Sequence, residues 1–221
     1  MVAAIMGLLV ERFIMRPLLG QPMMALVMVT IALTEILRGG VITYWGALDL
    51  RYVTIIPEGT IRMGFVAISN QQLASVLVTL ALFAVILLLF RYSRWGLAMR
   101  AVAEGHQLVR SMGISVRTIL GITWAIAAVV ATLGGVLLGS IGGFGISMWE
   151  IALMAIPAAF IGGLDSVHGA IVGGLIVGVL EKVINLYVGF AFGLPAAFLV
   201  LVLIMFFRPY GIWGLIRIER V

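Results

Sequence analysis

RYSRWGLAMRAVAEGHQLVRSMGISVR, residues 91–117, is the only long polar and basic stretch held between two strongly apolar runs, and its reading lays out the rest of the chain. Arg91, Arg94, Arg100, Arg110 and Arg117 stand against a single acid, Glu104. Membrane-flanking loops with that excess of arginine stay on the cytoplasmic side, so residues 91–118 form a cytoplasmic loop. Within it, Met99, Val102, Ala103, Leu108 and Met112 recur at a loosely helical spacing, and Gly113 stands where a helix would stop. The pattern predicts a short amphipathic helix over 99–112, exposed in the loop and available to another protein. A basic loop that only anchors topology and touches anionic lipid headgroups has the same charge pattern. Charge alone leaves both readings open.

Upstream, residues 73–90 are an uninterrupted apolar run of 18 residues, close to the roughly 20 that a helix needs to cross a bilayer. Residues 39–72 are mixed. Tyr44, Trp45 and Tyr52 lie among Asp49, Arg51, Glu58 and Arg62, as aromatics do at a membrane boundary, so this is the sizeable external loop. Alternation over 51–56 predicts a short extended piece there. Residues 23–37 form an apolar helix, with Glu35 and Arg38 as an interfacial pair. Glu11, Arg12, Arg16 and Pro17 read as a cytoplasmic loop, because proline prevents a preceding helix from running on unbroken. Residues 1–10 are apolar and look like the tail of a membrane helix.

Downstream, residues 119–139 are a second clear span, with Gly134 beside a Gly135/Gly139 pair whose spacing gives a flat packing face. Residues 151–161 contain Pro157 and are too short to cross alone. They run into Gly162, Gly163, Asp165, Ser166, His168 and Gly169, after which 170–181 is again short. Such segments read as broken or re-entrant helices, tolerated only where protein or a cavity surrounds them. Residues 194–207 are the last span, ended by Arg208 and Pro209. The 151–181 pair must therefore make zero or two net crossings. Ten of the 14 basic residues then lie inside, and only Arg38, Arg51, Arg62 and Lys182 outside. Reversing the topology would invert that bias.

Composition agrees. The 221 residues are 63% hydrophobic and 10% charged, with a mean hydropathy of +1.24, which excludes an ordinary soluble domain. The 27 glycines suit close helix packing in lipid. A net charge of +5 comes from arginines at membrane ends, so nucleic acid is not a partner that it implies, whereas membrane lipid is. With no cysteine and two histidines there is no thiol nucleophile, disulfide or multi-histidine metal site. No nucleophile elbow, phosphate loop or H-E-x-x-H pattern occurs, so the chain reads as no enzyme, and any ATP would be bound by a separate subunit. The predicted architecture is all-α, a single polytopic membrane domain over 1–221 with about five to seven transmembrane or re-entrant helices.

Asp165 and His168 are the one carboxylate–imidazole pair at short spacing in an apolar setting. A proton relay would need such a pair at mid-depth. The plainer reading is that Asp165 or Ser166 caps the helix starting near Val167.

Four blocks carry a resemblance to a known family. Arg100-Ala101-Val102-Ala103-Glu104, followed by Ser111-Met112-Gly113-Ile114, resembles the cytoplasmic loop of permease subunits in ABC importers for branched-chain amino acids. That family has an EAA-x-x-x-G signature here, which docks on the ATPase. The triplet falls on Gln107, Leu108 and Val109 and is not kept, whereas the glycine falls on Gly113 and is. Glu11-Arg12-x-x-x-Arg16-Pro17-Leu18 is similar to the family's first internal basic motif. Residues 162–174 are similar to its glycine-rich hairpin, with His168 where proline is more usual. Arg208-Pro209-Tyr210-Gly211-Ile212-Trp213-Gly214 resembles its terminal R-P-x-G-L-F-G. The family begins with a further membrane segment that would precede Met1, so a shortened N-terminus is expected.

The resemblance implies a multi-pass inner-membrane permease, paired with a second permease subunit, two cytoplasmic ATP-binding subunits and a periplasmic substrate-binding protein, with no cofactor of its own. It implies ATPase coupling through Arg100, Ala103, Glu104, Gln107, Arg110 and Gly113. Path-lining or packing roles fall to Gly134, Gly135, Gly139, Gly162, Gly163, Asp165 and Gly169. The alternatives are a urea or short-chain amide permease of the same superfamily, an ion-coupled carrier using Asp165 and His168, or a structural membrane subunit.

Overall fold

The computed structural model describes residues 1–46, 59–63, 66–104, 109, 113, 115–145 and 148–214. The chain divides into two compact units, Met1–Gly145 and Ile146–Val221. Among the described residues, five helical segments are long and apolar enough to cross a membrane, and a shorter apolar helix covers Met148–Gly162. The polytopic all-α architecture follows directly from these runs.

In the first unit, α1 (Val2–Val10) packs along α5 (Val116–Gly142), and Gly7 sets how closely. A Cβ at Gly7 would stand 2.5 Å from the Trp124 carbonyl oxygen and 2.8 Å from Ala128 Cβ. The cluster expected as a loop continues the helix instead, as a π-turn over Glu11–Met15 and a 3-10 turn over Arg16–Leu18. Glu11 is buried, 2% exposed. Arg16 grips its carboxylate twice, Nε to Oε1 at 3.1 Å and Nη2 to Oε2 at 2.9 Å. Five residues of α-helix would place these side chains roughly 140° apart. Widening into a π-turn brings them nearly in line, so the pair satisfies itself without a loop.

Helix α2 (Met23–Trp45) runs well past the expected 23–37, through Gly39 and Gly40. Glu35 and Arg38 form the expected exposed pair, at 3.7 Å. The predicted extended piece over 51–56 lies outside the described residues. A hairpin that the sequence did not announce pairs β1 (Thr60–Met63) antiparallel with β2 (Val66–Ser69), with Thr60 opposite Ser69. Ser69 then opens α3 (Asn70–Tyr92) with a capping box, its N–H donating to Gln72 Oε1 at 3.3 Å. A one-residue joint at Ser93 leads into α4 (Arg94–Glu104), which begins earlier than expected.

The second unit is a bundle of α6 (Met148–Gly162), α7 (Val167–Tyr187) and α8 (Gly193–Phe207) around Ile161, Val177 and Ala197. Helix α7 is 21 residues long, so the segment expected to be short and interrupted at 181 is a full span. Within it Lys182 Nζ and Asn185 Nδ2 both donate to Glu181 Oε1, at 3.2 Å and 3.0 Å. Helices α6 and α8 each have 15 residues and reach only about 22 Å, and a 3-10 turn over Phe190–Phe192 lengthens α8 at its start.

The Glu11–Arg16 pair is asymmetric, since the arginine is partly exposed and the carboxylate is not. Arg16→Ala should therefore strand a buried charge and cost on the order of 3 kcal/mol. Glu11→Gln should cost less, because the guanidinium can turn to solvent. Thermal unfolding of both purified variants in detergent checks the order; equal losses would mean the pair is not buried as described.

Candidate functional site

Three features build the corner where α3 meets α4. Ser93 Oγ accepts from the N–H groups of Trp95 at 3.0 Å and Gly96 at 3.3 Å, capping α4 immediately after α3 ends. At Gly96 a Cβ would lie 2.5 Å from the carbonyl oxygens of Leu89 and Phe90, so only glycine allows so tight a turn. Gly96, Met99 and Val102, three residues apart, then form the buried face of α4. Met99 and Val102 share one cluster with Val109, Val116 and Ile119, and Phe90 and Ile122 pack against it.

The helix expected to lie exposed in a loop is thus half built into the body. Its other face carries Leu97, Arg100, Ala103 and Glu104, all exposed. The structure brings together the three candidate coupling residues that it describes on α4. Gln107 and Arg110 lie outside the described residues. Val109, the third position of the altered triplet, is buried in the corner, where a larger apolar side chain fills space. Gly113 is exposed and has φ +77°, a left-handed conformation that other residues adopt only with strain.

The candidate path glycines divide. Gly139 is buried with the Phe144 ring folded over it, 2.6 Å from where a Cβ would stand. Gly134 and Gly135 have nothing within 4 Å of that position, so they pack against no other described part of this chain. In the second unit Gly162 and Gly169 meet backbone to backbone, and a Cβ on either would overlap the other's carbonyl group. Gly173, four residues after Gly169 in the same glycine-rich stretch, does the same against Ala158. Gly163 has φ +102° and turns the chain out of α6.

The C-terminal block closes this hairpin. Ile212 N–H donates to the Ile161 carbonyl at 2.9 Å and Trp213 N–H to that of Gly162 at 3.1 Å, supplying donors to carbonyls that the end of α6 leaves free. Two blocks read separately in the sequence are one structure. Glycine-rich stretches at both ends of the second unit are the signal that could have joined them.

Capping of α7 falls to Ser166, whose Oγ accepts from Gly169 N–H at 3.0 Å. Asp165 and His168 are both exposed near this turn, and no side-chain hydrogen bond or ion pair joins either to another described residue. The buried pair that a proton relay would need is therefore not formed by these two residues.

The sequence is similar to those of known proteins. Residues 1–208 match the family described as branched-chain amino acid transport system / permease component. The chain is 32% identical to the high-affinity branched-chain amino acid transport system permease protein BraD of Pseudomonas aeruginosa, over 100% of this chain and 74% of that protein. It is 28% identical to the protein of the same description, LivH, of Salmonella typhimurium, over 100% of this chain and 73% of that one. Against LivH of Escherichia coli K12 it is 33% identical over 70% of this chain and 51% of the relative. No solved structure matches.

Gly162→Ala and Gly169→Ala should each push a methyl group into backbone that cannot retreat, costing about 3 kcal/mol or more. Gly174→Ala, on the open side of α7, should be tolerated. Resistance to proteolysis in isolated membranes separates the two classes. Ser166→Ala should cost about 1 kcal/mol and Asp165→Ala almost nothing, readable as a difference in detergent melting temperature.

Proposed function

Because this chain belongs to the branched-chain amino acid transport system permease family, we propose that it works as the transmembrane subunit of an ABC importer, with ATP bound by separate subunits. Its cargo is branched-chain amino acids. A second permease subunit completes the path, two cytoplasmic ATP-binding subunits drive it, and a substrate-binding protein feeds it from the other side of the inner membrane.

One observation carries the coupling mechanism: α4 is anchored on one face and free on the other. Force applied to Leu97, Arg100, Ala103 and Glu104 cannot be absorbed by rotation of α4, because Gly96, Met99 and Val102 are locked in the corner. It passes to the end of α3 through the Ser93 joint and to the start of α5 through Val116 and Ile119. Closure of the ATPases would thus tilt two membrane helices together, which is what alternating access requires. Supporting the division of labour, the 221 residues contain no phosphate loop of their own.

The test keeps the anchored face and changes the free one. Arg100→Glu and Glu104→Arg should lower both co-purification of the ATPase and leucine uptake by roughly tenfold or more at unchanged membrane levels, since reversed charges repel a complementary surface. Gly113→Leu is a poorer probe, because its left-handed backbone would be strained whatever docks there. Full uptake and normal ATPase capture by both charge variants would remove α4 from the coupling path.

A further inference from the structure

Helix α2 carries charge at a depth where lipid cannot accept it. The apolar run over 23–37 places Glu35 and Arg38 at its edge, but the helix itself continues to Trp45. Tyr44 and Trp45 expose their rings at that end, as aromatics do at a membrane boundary. Glu35 therefore lies about 15 Å along the axis from Trp45 and about 18 Å from Met23. That is close to the middle of a hydrocarbon core roughly 30 Å thick. Snorkelling to water serves arginines near helix ends, not at mid-span.

The chain does not bury this pair. Among the described residues, α2 is the one long span whose apolar window contains no buried residue. The Glu35 side chain is 56% exposed and that of Arg38 39%. At 3.7 Å the guanidinium is too distant to hydrogen-bond the carboxylate. Ionisable groups at such depth face other protein or a water-filled cavity, because leaving them to lipid is costly.

The pattern along α2 says what covers them. Ala25, Ala32 and Gly39 recur every seven residues, and Met28, Glu35 and Ile42 repeat that spacing three positions later. This is the seam of a helix that pairs with a parallel helix. Small residues on it let two backbones approach, and at Gly39 no described atom comes within 4 Å of where a Cβ would stand. Glu35 lies in the seam and Arg38 at its flank. An acid beside a base is its own complement under a two-fold axis, where the same patch serves both partners. An axis along the membrane normal keeps both copies of Glu35 at one depth, and the rise of about 4.5 Å to Arg38 is within reach of an arginine side chain. Lipid or an apolar helix supplies no such charges.

We propose that α2 is the surface on which this chain meets a second copy of itself, with Glu35 of each copy paired to Arg38 of the other. This rests on the importer reading and names its second permease subunit as the same chain. Two exposed, loosely held pairs then become one enclosed network of four charges, in which each carboxylate has a second guanidinium to accept from.

The chain contains no cysteine, so single cysteines report on the contact without background. In the complete transporter in native membranes, Ala32→Cys should form a disulfide-linked dimer of this chain under mild oxidation. Leu37→Cys, exposed on the other side of α2, should not. Added to Ala32→Cys, either Glu35→Arg or Arg38→Glu should lower the link by roughly tenfold at unchanged membrane levels, because like charges then meet. Co-expressing the two reversed chains under different tags should restore a link between the tags, which a tie within one chain would not do. The proposal is overturned by no self-link at Ala32→Cys, by an equal link at Leu37→Cys, by recovery of a different permease chain in place of the second copy, or by no restoration in trans. Should the reversed chains fail to insert, the two cysteine positions decide alone. A linked complex that takes up no leucine would instead overturn the importer reading.

Discussion

Two backbone hydrogen bonds, from Ile212 and Trp213 to the carbonyls of Ile161 and Gly162, hold the second unit closed. Their importance comes from the solvent. A helix ending in or near lipid leaves its last carbonyls without donors, and the bilayer supplies none. Helix α6 ends after 15 residues, so the chain must bring donors to it. That requirement determines the rest: α8 returns beside α6, Gly211 approaches Phe160 and Gly163 more closely than a side chain would allow, and Ile212 packs against the Ile161 core. Gly162, Gly169 and Gly173 let α7 lie against α6 with carbonyls at the contact.

The first unit meets the same constraint by other means. Glu11 and Arg16 neutralise each other within one widened turn, so a charged motif can lie beside α5 without water. At the other end of α3, Ser93 supplies the cap and Gly96 the clearance for an abrupt change of direction. Ser93 and Gly96 thereby stiffen the corner from which α4 projects. The coupling role proposed for α4 needs such stiffness, because displacement is transmitted only through packed parts that do not yield.

The function therefore separates by environment. Tight glycine contacts and paired charges make frameworks; the exposed face of α4 is where polar groups remain available to something outside the chain. Gly134 and Gly135 belong with neither, since no described residue comes within 4 Å of where a Cβ would stand on them.

The sequence by itself determined the membrane class, the long spans and the helical pattern around Met99 and Val102. These are properties of single residues and local spacing, since hydropathy and arginine bias act position by position. Tertiary structure alone decided that Glu11 is buried rather than looped, that Ser166 and not Asp165 caps α7, that α7 continues past Glu181, and that the blocks at 162 and 211 are one clasp. In each case the deciding partner is an atom whose position only the folded backbone specifies, whether Arg16 across a π-turn, the Gly169 N–H, Asn185 one turn on, or a carbonyl some fifty residues away. Periodicity shows which face is apolar; it carries no information about what lies against that face.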